Sequence, residues 1–230
     1  MITLSPRLSM VASLVREGKP LADIGTDHAY LPVSLLEEGR IPHAAACDVR
    51  EGPLSNAAST IEAHGLSDKV TLHLCSGFDD STLQAYEDFV MAGMGGNLME
   101  DLLDAAPWLQ RPGTHLVLQP QSHGEDVRAW LYRHGFSILR ETATRDNGRV
   151  YIALESAFNG EKKEYTLSDC FLGELPKCDA SERFDHFREV LRRLTARHDA
   201  LLPYPDTADE RELLEPVIQD LEALLKEEDS

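Results

Sequence analysis

Residues 21–32 compress a strand, a turn and a helix start into one short run. Leu21, Ala22, Asp23 and Ile24 read as a buried strand. The chain turns at Gly25, and Leu31, Leu35 and Leu36 then recur at helical spacing until Gly39. A helix N-terminus at the carboxyl end of a strand is the ligand-binding corner of an open α/β sheet. The run therefore predicts a doubly wound sheet with a site at its first turn. It also argues against one ligand class. A dinucleotide pyrophosphate calls for G-x-G-x-x-G, and the second and third glycines are missing here. Carboxylates surround the turn instead, and they suit a ligand with hydroxyls and a cationic centre.

Strand and helix patterns alternate on both sides of this run. Ser5-Pro6 opens a helix with Leu8, Val11, Ala12 and Val15 on one face, and Gly18 closes it. Strands are expected at 44–48, 70–74, 88–92 and 114–118. Between them, Gly52-Pro53 starts a helix with Leu54, Ala57, Ala58 and Ile61 on one face, a short helix covers 81–86, and another runs from 97 to about 109. A helix at 124–134 follows. The pattern then changes: 136–141 and 150–154 flank the turn signal Arg145-Asp146-Asn147-Gly148, which predicts a β-hairpin. Five alternating units and one hairpin predict an α/β, Rossmann-like seven-stranded sheet, mostly parallel, with one antiparallel strand inserted near an edge. That layout resembles the methyltransferases that use S-adenosylmethionine (SAM), whose ribose, amino group and sulfonium match the ligand chemistry above. A fold by itself does not establish an activity.

From about Gly160 the composition shifts. A charged loop at 160–164 precedes two amphipathic helices, 181–202 and 208–226, separated by Pro203-Tyr204-Pro205. They predict an antiparallel, coiled-coil-like helical hairpin. The chain thus divides into a cofactor-binding domain, 1–158, and a C-terminal region, 159–230. The formal charge is −18, and between Asp206 and Ser230 ten acids stand against two bases. A chain this acidic can hold nucleic acid only through a local patch. Arg188, Arg192 and Arg197 lie roughly on one side of the first C-terminal helix. They read either as phosphate contacts or as a solvated face paired with Glu182, Asp185 and Glu189. Arg128, Arg133, Arg145 and Arg149 form a second candidate patch. Cys47 and Cys75 sit in or beside buried strands as small core residues, and Cys170 and Cys178 lack metal-ligand spacing, so no metal is expected. The N-terminus reads as an amphipathic helix carrying Arg7, Arg16 and Lys19, not as a signal peptide. No apolar run approaches a membrane span. A cytoplasmic location is expected, with the oligomeric state open and a monomer favoured.

Several residues stand where chemistry is expected. Asp48 ends the second strand, where a carboxylate either accepts both ribose hydroxyls or caps the next helix; its place after the glycine turn favours the first. Gly93, Met94 and Gly95 follow the fourth strand in Ala-Gly-Met-Gly-Gly, a backbone that either approaches a flat ligand or merely turns. Gln119, Pro120 and Gln121 end the fifth strand. Their amides either read a base edge or belong to a surface turn. His28 and Tyr30 flank the first turn, and the other histidines are scattered.

Residues 23–32 (Asp-Ile-Gly-Thr-Asp-His-Ala-Tyr-Leu-Pro), Gly52-Pro53, residues 92–96 and Leu118-Gln119-Pro120, in this order and spacing, resemble the bacterial tRNA adenine-22 N1-methyltransferase family. The resemblance spans nearly the whole chain. It implies a class I SAM-dependent methyltransferase that makes 1-methyladenosine in tRNA and uses its helical hairpin to help hold the tRNA. It departs from the family at three places. Cys75-Ser76-Gly77-Phe78 replaces a usual Gly-Asp-Gly-Leu, Gln121 replaces a frequent Asn, and Ile152 replaces a frequent Glu. Contact with the cofactor adenine therefore falls to Ser76 or Asp79.

The expected site follows. Asp48 holds the ribose, Gly25 and Gly93 let the backbone close on the methionine part, and Asp23 or Asp27 lies near its ammonium, with His28 beside them. Ser76 and Gly77 edge the adenine, and Met94 and Gly95 continue the glycine-rich bend. Asp27 is the candidate to stabilise developing positive charge, with Tyr30 stacking on or positioning the base. Gln119, Pro120, Gln121, Arg188, Arg192 and Arg197 are the candidate substrate contacts. Two rival readings are a SAM-dependent methyltransferase of a small molecule or protein, and a non-catalytic SAM-binding scaffold.

Overall fold

The computed structural model describes residues 2–228. Seven strands form one sheet: β1 (Leu21–Ile24), β2 (Ala44–Asp48), β3 (Val70–Leu74), β4 (Asp88–Met94), β5 (His115–Pro120), β6 (Phe136–Asp146) and β7 (Arg149–Phe158). Their spatial order is β3-β2-β1-β4-β5-β7-β6. β1 to β5 pair in parallel, while β7 runs antiparallel to both β5 and β6. This is the expected sheet, with the antiparallel strand one place from the edge. The chain leaves β1 towards β2 and β3, then returns to lay β4 on the other side of β1. The reversal opens a crevice above the carboxyl ends of β1 and β4.

β1 and β2 are buried at every position. Helices cover both faces, so an unbroken apolar run is what these strands need. Alternate residues feed different cores: Leu21, Ala44 and Ala46 meet α1 (Pro6–Leu14), α2 (Tyr30–Glu37) and α3 (Glu51–Ala63), whereas Ala22, Ile24 and Ala45 face α4 (Gly96–Asp104) and α5 (Gly124–Arg133). α1 starts where the sequence indicates, with Ser5 accepting the Leu8 amide at its N-cap and Pro6 in the first turn.

The helix expected from 97 to 109 is broken. α4 stops at Asp104, and Pro107–Leu109 forms a separate 3₁₀ turn. The hairpin strands run well beyond the expected bounds, because both pack on the C-terminal helices as well as on the sheet. Those helices are α6 (Leu167–Leu172), α7 (Glu182–Leu201) and α8 (Ala208–Glu228). Phe187, Val190, Leu194, Val217 and Leu221 bury a third core together with Ala143 and Ile152 of the hairpin. Leu213 of the amphipathic α8 lies outside this core and is exposed.

α6 was not expected. Thr166 and Asp169 form a capping box at its start, each side chain satisfying the other's backbone amide. α6 also supplies the third partner of a buried ion pair. The Arg128 guanidinium donates to both carboxylate oxygens of Glu141, at 2.8 and 2.6 Å, and to the carbonyl of Cys170 at 2.9 Å. This corrects the reading of Arg128 as part of a phosphate-binding patch: its side chain is fully enclosed and its charge is spent on Glu141.

Candidate active site

The first turn is built by the backbone. The Gly25 and Thr26 amides both donate to the Cys47 carbonyl, at 2.8 Å each, so the chain leaving β1 bends across the end of β2. Gly25 takes a φ of +78°, and a Cβ there would lie 2.0 Å from Cε of Met94. The Thr26 hydroxyl then accepts the Ala29 amide at 3.2 Å, directly before α2. The partner bend is Gly93, φ +83°, where the β4–β5 register shifts between Ala92 and Met94. The shift is a bulge that redirects the end of β4.

Two crevices meet at these bends. One, of about 340 Å³, runs over Asp48, Ser76, Gly77, Gly93 and Met94. The other, of about 240 Å³, is bounded by Asp23, Thr26, Asp27, His28 and Tyr30. Gly25 and Ala92 line both. The first has apolar walls from Val49, Leu98 and Leu102 and one carboxylate, Asp48, which suits a flat heterocycle carrying a diol. Asp48 accepts the Arg50 amide at 2.8 Å, and the Arg50 guanidinium lies 3.5 Å away, so one end of the carboxylate is fixed. Asp79, the alternative adenine contact, lies outside this lining, and Ser76 lies within it.

The second crevice is more polar. Asp23 is 8% exposed, and burial pushes its carboxyl up to about 6; the Thr26 hydrogen bond works against this shift and the charge of Asp48 adds to it. A buried acid held this far from its ordinary range gains most from a cationic ligand. The donor set therefore fits the ammonium and sulfonium of SAM. His28 stacks on Tyr30 with ring centroids 4.9 Å apart, and its Nε2 lies 3.4 Å from Asp27.

Of the expected cofactor residues, Asp23, Gly25, Asp27, His28, Asp48, Ser76, Gly77, Gly93 and Met94 line one crevice or the other. Gly95 lies just outside and caps α4. The substrate expectations fare differently. Gln119 is fully buried; its Oε1 accepts from Arg7 and its Nε2 donates to the Pro120 carbonyl. With both ends of the amide engaged, it does not read a base edge, which corrects the expectation. Pro120 is likewise buried. Gln121 is exposed, and its backbone amide donates to the Met94 carbonyl at 2.8 Å. Arg188, Arg192 and Arg197 are exposed on α7 but paired: Arg188 with Asp185 and Glu228, Arg192 with Glu189, Arg197 with Glu210. Among the described residues no group of three or more His, Cys, Asp or Glu side chains is placed to hold a metal ion.

Arg7 was missed. It lines the second crevice, although the sequence marks it only as one charge on an amphipathic helix. Where α1 docks is a tertiary fact, without a local signal. The same holds for Leu98 and Leu102, which α4 turns towards the first crevice.

The methyltransferase-domain family matches residues 4–154. The tRNA (adenine(22)-N(1))-methyltransferase of Bacillus subtilis (strain 168) is 31% identical over 153 residues, which is 66% of this chain and 64% of that enzyme's length. The crystal structure of the B. subtilis m1A22 tRNA methyltransferase TrmK superposes with a TM-score of 0.83 at 26% identity, covering 99% of each chain. That of Streptococcus pneumoniae Sp1610, provisionally assigned as a tRNA (m1A22) methyltransferase, gives 0.82 at 32% identity over 97% of this chain and 100% of its own; a second structure of Sp1610 contains S-adenosyl-L-methionine. Fold, crevices and these similarities agree: the chain belongs to the methyltransferase-domain family and, within it, to the tRNA (adenine-22-N1)-methyltransferases.

Proposed function

We propose that this protein transfers a methyl group from SAM to N1 of the adenine at position 22 of tRNA. One observation carries the reading: the two crevices meet at Gly25 and Ala92, so a donor held over Asp48 and a base entering past Tyr30 would share that junction. When bound, SAM supplies an electrophilic methyl carbon on a sulfonium. Asp48 would accept from the ribose hydroxyls, Ser76 and Gly77 would edge the adenine, and Asp23 would pair with the ammonium. The target adenine flips out of its helix to reach the second crevice. Its N1 carries a free lone pair, so no residue has to remove a proton, and catalysis rests on in-line positioning. The methylated ring is cationic. Asp27 stabilises that charge, and Tyr30, already stacked on His28, offers a flat surface to the base.

In this reading residues 1–158 perform the transfer and 159–230 hold the tRNA, with Arg188, Arg192 and Arg197 exchanging carboxylate partners for phosphates and Gln121 at the rim. A tRNA substrate puts the protein in the cytoplasm, and no helix among the described residues is long and apolar enough to cross a membrane. A formal charge of −18 and paired arginines favour one alternative, methylation of a small molecule or protein. Incubation with SAM and unmodified tRNA transcripts, followed by nucleoside mass spectrometry, decides. The expected product is 1-methyladenosine at position 22; label transferred only to non-RNA material would overturn the reading.

A further inference from the structure

In the reading above Asp23 is taken up by the SAM ammonium, and the second crevice still presents the carboxylate of Asp27 to whatever enters it. A nucleotide swung into it brings a phosphate, which that charge repels. Arg7 lies in the same lining. Its Nη1 donates to Oε1 of Gln119 at 2.9 Å, and its guanidinium lies 5.8 Å from the Tyr151 ring centroid. Its backbone amide donates to Asp146 at 3.3 Å, tying the first turn of α1 to the β6–β7 turn. A Cβ on Gly93 would lie 3.3 Å from Nη1, so the guanidinium reaches the bend where the two crevices meet.

The nature of the anchor matters most. Arg16, Arg128, Arg188 and Arg197 are each held by a carboxylate. Among the described residues the Arg7 guanidinium is paired with none; a neutral amide holds it. That amide is itself fixed, because Gln119 is fully buried and spends its N–H on Pro120. The guanidinium is therefore positioned without being neutralised, and most of its five N–H donors stay free for a bidentate partner.

The geometry points to Arg7 as the clamp on the phosphate of the flipped nucleotide, with Gln119 as the residue that positions it. The assignment rests on the tRNA methyltransferase reading above and names the substrate group that reading leaves unheld. A phosphate fits better than the base. The ring turns cationic on methylation, so a fixed guanidinium at its edge would oppose product formation, whereas at the phosphate it opposes nothing.

The test is tRNA binding across a salt series, with cofactor present, for the wild type, Arg7→Gln, Arg7→Lys and Gln119→Glu; calorimetric SAM affinity reports an intact fold. Arg7→Gln is expected to weaken tRNA binding roughly tenfold. It should also flatten the slope of log K against log salt by about 0.7–0.9, one phosphate contact. Arg7→Lys keeps the slope. Gln119→Glu neutralises Arg7 in place and flattens the slope as Arg7→Gln does, which a merely structural role would not produce. An unchanged slope in Arg7→Gln, in an enzyme whose wild type binds and methylates tRNA, overturns the clamp alone; so does a fall in kcat with the slope intact, which marks a base contact. A wild type that binds SAM but no tRNA overturns both the clamp and the reading beneath it.

Discussion

A Cβ placed on Gly25 would lie 2.0 Å from Cε of Met94, so the turn after β1 and the bend after β4 are packed against each other through a missing side chain. Gly25→Ala introduces a left-handed alanine and forces the Met94 side chain to move. We expect a loss of about 1–3 kcal/mol of stability. Met94 lines the first crevice, where SAM is proposed to sit, so SAM affinity should fall as well, by about tenfold or more. Shortening the obstacle in Gly25→Ala/Met94→Ala should recover part of that affinity. Calorimetric titration of both variants checks this, and equal affinities would disconnect Met94 from the effect.

Asp23 gives a pH dependence whose sign is fixed. Its carboxyl is raised to about 6, above the ordinary 3.8, first by burial, with Asp48 adding and the Thr26 hydrogen bond opposing. Only the ionised form pairs with an ammonium. SAM affinity should therefore rise between pH 5 and 7, by up to about tenfold per unit on the acid side, and level off above. Asp23→Asn should be weak and flat. Stability of the cofactor-free protein runs the other way. The contribution of this group is fully present below about 3.8 and is lost as pH rises through about 6. That loss is on the order of 2–3 kcal/mol, and bound SAM offsets it. Denaturation of the wild type and Asp23→Asn from pH 4 to 8 should show the variant gaining on the wild type between about pH 4 and 6 and keeping that gain unchanged above.

Asp48→Ala removes the only carboxylate lining the first crevice among the described residues. SAM affinity should drop by about tenfold to a hundredfold, matching one or two charge-assisted hydrogen bonds to a diol. The lost contact to the Arg50 amide should cost only about 1 kcal/mol of stability. A titration with unchanged affinity would remove Asp48 from the site.

These residues were legible because strand ends fix them. The carboxylates Asp23 and Asp48 and the glycine bends at Gly25 and Gly93 follow from a local pattern, strand then turn, and the sheet order needs little more than counting alternations up to the hairpin. Arg7 and Arg128 show where this fails. Both are arginines on amphipathic helices, yet one is held at the crevice by Gln119 and the other is sealed behind Glu141. Which neighbour a helix meets depends on packing between distant segments, and period alone does not carry it. α6 is a different case: Thr166 and Asp169 announced it, but six residues give too little periodicity to stand out beside a charged loop.

Arg128 and Glu141 predict an asymmetry. Both side chains are almost completely enclosed, and the pair joins α5, β6 and the Cys170 carbonyl of α6. Glu141→Gln strands a buried guanidinium and should cost about 3–5 kcal/mol. Arg128→Met/Glu141→Leu removes both charges and should cost much less. Urea unfolding of the two variants tests this. If the double variant is the less stable, the pair contributes more through its hydrogen bonds than desolvation takes away.

The arginines of α7 make a last prediction about RNA. Arg192 donates to both carboxylate oxygens of Glu189, at 2.9 and 2.6 Å, and Arg197 to both of Glu210, at 2.8 and 3.2 Å. All four side chains are solvent-accessible, so these pairs contribute little to stability, and breaking them should leave the fold intact. If phosphates must displace the carboxylates, Glu189→Gln/Glu210→Gln frees two cations in advance. tRNA should then bind several-fold more tightly, with a salt slope steeper by about one to two phosphate contacts. The gain should vanish when Arg192 and Arg197 are also replaced by Gln. Affinity and slope equal to the wild type would place the RNA path elsewhere on the molecule, and the C-terminal helices would then act through their packing on Ala143 and Ile152 alone.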